Sequence, residues 1–249
     1  MGLKIDSIDI VLVTFHREEM LEKTLVKLKE RTKFPHRIIL IDNGSIYDER
    51  FKKEVIDRYS DIYIKNKENV GFGKAENQGL ELAETEYLVT TCNDIVPPDL
   101  TPCWLERLSI LLRNHPEHAG INCRAQFMPR CRFDESKEVS EHRVMTQSYL
   151  RIQRTEEMRS IGGIPYLPNG PLKYESLAFA RGSRELLKKT TATATHIHVN
   201  HFGWDEENKG YPEGVEYEFK VQIRNKYETE DKTCTIKGHQ CPEWGTIPQ

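Results

Sequence analysis

A chain of 249 residues can bury a large core as one domain or a closely joined pair. Its 37% hydrophobic and 30% charged residues are an ordinary globular balance, and a net charge of -3 argues against broad binding to nucleic acid or anionic membranes. No apolar run approaches the roughly 20 residues that cross a bilayer. The N-terminus has no basic-then-apolar signal segment, and Asp6 stands where a myristoylation pattern needs Ser or Thr. Cysteines at 92, 103, 123, 131, 234 and 241 form no Cys-x-x-Cys pair, so reduced thiols and a cytoplasmic setting are expected.

Strand and helix alternate through the first 125 residues. A buried-type strand at 9–15 precedes a helix at 18–31, whose Leu21, Leu25 and Leu28 recur at helical spacing. A strand at 37–42 and a helix at 48–59, with Phe51, Val55 and Ile56 inward, come next. Strand 62–64, helix 72–83, strand 87–92, helix 102–114 and strand 119–123 continue the pattern. Such alternation predicts a Rossmann-like, mostly parallel α/β sheet with right-handed crossovers and helices on both faces. After 125 the rhythm breaks. Residues 127–170 are rich in Arg, Glu, Ser and Pro, weakly periodic, and predicted to be irregular and to flank the acceptor side of a site. A strand at 177–180, helices at 183–189 and 213–224, and a strand at 234–237 are predicted beyond it. Residues 1–125 and 126–249 are thus two halves of one domain, the second smaller and mixed.

The densest chemistry lies between Asn69 and Asp99. Asn-Val-Gly-Phe-Gly-Lys-Ala-Glu-Asn-Gln-Gly (69–79) makes a glycine-rich turn into a helix. The following strand delivers Cys92, Asn93 and Asp94 to its C-terminal end, where open α/β sheets place ligands. A lone carboxylate there suggests a metal-assisted diphosphate site. Magnesium and manganese take oxygen ligands and use only one or two carboxylates beside phosphates. Gly71-Phe72-Gly73 is a weak dinucleotide match, since it does not follow the first strand and lacks a third close glycine. Lys74 reads as a phosphate contact or as a solvated lysine.

Two other strands end in polar residues: Val-Leu-Val-Thr-Phe-His-Arg (11–17) and Ile-Leu-Ile-Asp-Asn-Gly-Ser (39–45). Asp42 can serve a ligand or open an Asx turn before Gly44. Together with the 69–99 stretch, these segments resemble the inverting family 2 glycosyltransferases of the GT-A fold. That family's signature runs Asn-x-Gly, Asn-x-Gly, then Asp-x-Asp or Asn-Asn-Asp. The resemblance implies a nucleotide-sugar donor, UDP-sugar favoured, a hydroxyl acceptor such as a glycan, and a divalent cation, Mn2+ or Mg2+. It places Thr14, Asp42 and Ser45 at the base and ribose, with Gly71, Lys74 and Asn93 along the donor. Asp94 becomes the metal ligand. Cys92 departs from the acid or Asn usual at its position.

The same resemblance extends to the C-terminal part. The family's Glu-Asp-x-Asp-(apolar)-x-x-Arg element aligns with Val215, Glu216, Tyr217, Glu218, Phe219 and Arg224. Glu216 falls on the general base and Glu218 on the acid after it, with Glu213 or Asp205 as fallbacks. Loss of the acceptor proton to such a carboxylate contributes typically about 10²–10⁴-fold; alternatively, acids there simply favour a helix N-terminus. His239, twelve residues after Tyr227, matches a family metal ligand by spacing, or is a plain loop histidine. His196, His198 and His201 could suggest zinc, but no cysteine or acid lies beside them in sequence, which favours a structural or acceptor-side role. Two other readings stand: a catalytically weak nucleotide-sugar-binding protein, and a sugar nucleotidyltransferase. The latter needs a glycine-rich loop after the first strand, where Thr14 to Arg17 holds no glycine.

Overall fold

The structure, a computed structural model, describes residues 6–125, 134, 136–142, 150–166 and 173–202. Strands β1 (Ile8–Thr14), β2 (His36–Asp42), β3 (Ile62–Lys65) and β4 (Tyr87–Cys92) run parallel in the order β3-β2-β1-β4. Val11 pairs with Ile39 on one side and Thr90 on the other. The crossovers are α1 (Glu18–Arg31), then α2 (Glu49–Phe51), which passes through a π turn at Lys52–Ile56 into α3 (Asp57–Tyr59), and α4 (Phe72–Leu82). Asp48 caps α2 by accepting the Phe51 N–H at 2.6 Å. α5 (Trp104–Asn114) follows β4 and the short β5 (Ile95–Val96).

Both faces of the sheet are covered, which is why these strands read as near-continuous apolar runs. Ile10, Leu12, Ile38 and Leu40 form one core with Leu21, Leu25 and Leu28 of α1 and with Trp104, Leu105 and Leu108 of α5. Val11, Val13, Ile39 and Ile41 form the opposite core with Ala75 and Leu80 of α4. A Cβ at Gly79 would come within 2.3 Å of Val11, so glycine lets α4 lie close on β1.

The second half departs from the predicted pattern. β6 (His118–Ala125), β7 (Val139–His142), β8 (Leu150–Arg154) and β9 (Thr190–His201) complete a sheet of order β3-β2-β1-β4-β8-β6-β9-β5, with β7 beside β9. β8 is antiparallel to β4 and β6 and sits in mid-sheet. It falls in the stretch expected to be irregular. The reason is that Leu-Arg-Ile-Gln-Arg is buried on both faces while one face is polar: Arg151 is 1% exposed and Gln153 0%. Arg151 donates to Glu76 of α4 at 3.0 Å and to Gln153 at 2.9 Å, and lies 3.8 Å over the Phe179 ring. Burial raises the Glu76 pKa against the lowering effect of Arg151. α6 (Thr155–Ser160) also lies in that stretch.

The strand predicted at 177–180 is instead part of α7 (Lys173–Gly182), which continues as a π turn at Ser183–Leu187. Leu-Ala-Phe-Ala holds no β-branched residue and favours helix by intrinsic propensity. Phe179 is fully buried there, in the core with Val11 and Ile39.

Candidate active site

The site forms where β1, β2 and β4 end. Beyond Thr14 the chain passes through His16 and Arg17 with φ of 55° and 65° before entering α1. Left-handed backbone costs a non-glycine residue about 1–2 kcal/mol, and hydrogen bonds hold it here. His16 N–H donates to Ser45 Oγ at 2.7 Å, while its carbonyl accepts from the Tyr47 hydroxyl at 3.0 Å and Asn93 Nδ2 at 3.1 Å. Asn93 Nδ2 also donates to Thr14 Oγ1 at 2.9 Å, and Thr14 Oγ1 lies 2.9 Å from the Tyr47 hydroxyl. Burial raises the Tyr47 pKa, keeping the phenol protonated. Thr14, Ser45 and Asn93 thus lock together three strand ends far apart in sequence.

That turn aims Arg17 at Asp94. Arg17 Nη1 donates to Asp94 Oδ2 at 2.8 Å, and both side chains are at most 4% exposed. The other carboxylate oxygen, Oδ1, accepts from Cys92 Sγ at 2.9 Å and lies 3.6 Å from His201 Nε2. Backbone pairing brings the histidine there: β5 and β9 are antiparallel with Ile95 opposite His201, and Phe202 N–H donates to the Asp94 carbonyl at 3.1 Å. Thiol, carboxylate and imidazole donor atoms all lie within 4.8 Å of one another. Three donors so spaced, the carboxylate and imidazole buried and the thiol half-buried beside one guanidinium, fit a divalent cation.

No cysteine or acid lies beside His201 in sequence; the fold brings Cys92 and Asp94 to it from more than a hundred residues away. Along β9, His196 and His198 share an exposed face, while Ile197, Val199 and His201 alternate inward, and that period of two is the sequence signal for His201.

Asp42, at the end of β2, is fully buried. Its Oδ1 accepts the Ser45 N–H at 2.8 Å and its Oδ2 the Tyr63 hydroxyl at 2.8 Å. The first bond is the Asx turn read from the sequence; each oxygen retains a second lone pair. Gly44 follows at φ 94°, where a Cβ would meet the Glu68 backbone at 2.8 Å, so only glycine fits. Asn43 accepts the Val70 N–H at 3.0 Å and donates to Asn69 at 2.7 Å, tying this loop to the start of the glycine-rich segment.

Gly71 precedes α4 at φ 89° and is exposed, as is Lys74. A Cβ at Gly73 would come within 2.3 Å of Tyr166, so this glycine serves packing. Cys103 and Cys123 are buried free thiols and Cys92 is half-buried. Glu216, Glu218, Glu213, Asp205 and His239, with the predicted helix at 213–224 and strand at 234–237, lie outside the described residues. Among the described residues, no helix is long and apolar enough to cross a membrane.

Comparison with curated proteins finds no match. Solved structures do share the fold. A mannosyltransferase from Pyrobaculum calidifontis, in complex with GDP-Man and Mn2+, superposes with a TM-score of 0.62 at 15% identity, over 87% of this chain and 60% of its own. GalNAc-T7 with UDP, GalNAc and Mn2+ gives 0.63 at 15% identity, over 94% and 58%. TarS of S. aureus gives 0.59 at 17%, over 77% and 36%. The chain therefore spans less than two thirds of the length of each. The family model for glycosyl transferase family 2 matches residues 9–163, more than half of the chain. By that match, this chain belongs to glycosyl transferase family 2.

Proposed function

We propose that this protein is an inverting, cation-dependent glycosyltransferase that moves a sugar from a nucleotide-sugar, a UDP-sugar by preference, to a hydroxyl acceptor such as a glycan. The observation that carries the reading is the buried Asp94 at the C-terminal end of β4, its carboxylate shared between Arg17 on one oxygen and Cys92 and His201 on the other. Two of the similar structures hold Mn2+ together with GDP-Man or UDP, which supports a divalent cation and a nucleotide as ligands.

Asp94, with His201 and Cys92, would hold the cation. When bound, the cation stabilises negative charge on the departing nucleoside diphosphate as a Lewis acid. Arg17, a fixed cation on the far side of the same carboxylate, adds preorganised positive potential where that charge develops. Thr14 and Asn93 hold the turn that aims Arg17. Asp42, through its remaining lone pairs, accepts the N3–H of uracil, with Ser45 fixing the carboxylate. Gly71 and Lys74 lie along the donor path. Glu216 removes the acceptor proton, and Glu218 serves as the supporting acid beside it.

Donor preference and turnover are tested together. The protein is incubated with UDP-, dTDP-, GDP- and ADP-sugars plus manganese, and release of nucleoside diphosphate is scored. Release from a UDP- or dTDP-sugar, blocked by EDTA, is expected. Binding without release from any donor would favour a nucleotide-sugar-binding protein, and release of pyrophosphate from sugar phosphate plus nucleoside triphosphate would favour a nucleotidyltransferase.

A further inference from the structure

We infer that the cation site is a mixed sulfur–oxygen–nitrogen site in which the Cys92 thiolate is a direct ligand, so that it selects borderline thiophilic ions such as Zn2+ or Co2+ over Mg2+. This deepens, and rests on, the reading of Asp94 as the cation ligand.

The geometry divides the Asp94 carboxylate. Oδ2 is taken by Arg17 at 2.8 Å, and Oδ1 is turned toward Cys92 Sγ at 2.9 Å and His201 Nε2 at 3.6 Å. One oxygen, one sulfur and one nitrogen therefore converge on the same side, mutually within 4.8 Å, while the guanidinium occupies the other. Their positions are set by backbone rather than by flexible reach. Cys92 is the last residue of β4, Asn93 is tied to Thr14 and His16, and the β5–β9 register places His201 opposite Ile95.

Magnesium and manganese favour oxygen donors, whereas thiolate and imidazole favour zinc and cobalt. Among the described residues the site offers three protein donors, one each of sulfur, oxygen and nitrogen, all donor types that zinc accepts. Binding replaces the proton that Cys92 now donates to Asp94; that proton passes to solvent as the metal–sulfur bond forms.

The test is optical, and independent of turnover. Wild-type protein, reduced and metal-free, is titrated with Co2+. A near-ultraviolet sulfur-to-cobalt charge-transfer band is expected, saturating at one equivalent and displaced by Zn2+. The band should vanish in Cys92→Ser and in Cys92→Asp. Zn2+ should bind the wild type at least about 100-fold more tightly than Mg2+, and Cys92→Asp should shrink that ratio by roughly tenfold or more. The other clustered donors among the described residues, His115, Glu117 and His118, hold no sulfur and cannot give the band. Absence of the band in wild type, or its persistence in Cys92→Ser, overturns the inference. If the band is absent while Mn2+ still supports nucleotide binding through Asp94, only the thiolate assignment fails. If Asp94→Ala binds Mn2+ and nucleotide as wild type does, the broader reading fails as well.

Discussion

Two buried carboxylates close parallel strands on either side of β1, and they are wired in opposite ways. Asp42 meets neutral donors, a backbone N–H and a phenol, all drawn from residues 42–63. Asp94 meets a guanidinium, a thiol and an imidazole drawn from positions 17, 92 and 201. The same side chain at equivalent strand ends is thus built into a local turn at one end of the site and into a charged, donor-rich cluster at the other. Under the proposed function, the first arrangement suits recognition of a base by shape and the second suits a cation by charge.

Asp94→Asn should show the largest effect. It removes the carboxylate charge opposite a buried guanidinium, a change that costs about 3–5 kcal/mol for such pairs, and it replaces the anionic oxygen of the proposed cation site with a neutral amide. Denaturant unfolding should register the first loss, and manganese-dependent nucleotide binding the second. Stability and cation dependence close to wild type would erase the contrast between the two ends.

Glu216→Gln comes next. Turnover should fall by about 10²-fold or more with nucleotide affinity nearly unchanged, and Glu218→Gln should cost less. Near-normal turnover in Glu216→Gln, with loss in Asp205→Asn or Glu213→Gln, would move the base upstream.

Asp42→Asn should cost about 1–3 kcal/mol, since a buried turn hydrogen bond becomes imperfect without a charge being stranded. It should also narrow the preference of UDP and dTDP over GDP in competition binding. A stability loss without any change in base preference would reduce Asp42 to its turn. Tyr63→Phe should be the mildest, at about 1 kcal/mol for one hydrogen bond. Burial and the Asp42 carboxylate both raise the Tyr63 pKa, so the phenol is a donor throughout the neutral range and its loss should show no pH dependence there.

How much of this was legible in the sequence follows from how local each feature is. α1 was readable to the residue, because Leu21, Leu25 and Leu28 repeat at helical spacing and two acids open its first turn. β1, β2 and β4 were readable because burial on both faces leaves apolar runs. β8 was hidden by Arg151 and Gln153, whose partners Glu76 and Phe179 come from other elements, so a buried strand carried a surface-like pattern. Thr14, Asp42, Asn93 and Asp94 announced themselves as polar residues at strand ends. Arg17 and His201 did not, since neither a left-handed turn nor the β5–β9 register is written in local spacing.

Calorimetric titration with UDP, in manganese and in EDTA, on wild type and Asp94→Asn, tests the central claim most directly. The expected result is tight binding by wild type in manganese alone, with the variant weak and indifferent to the cation. Equal affinity in manganese and EDTA for the wild type, or full retention by Asp94→Asn, would contradict it.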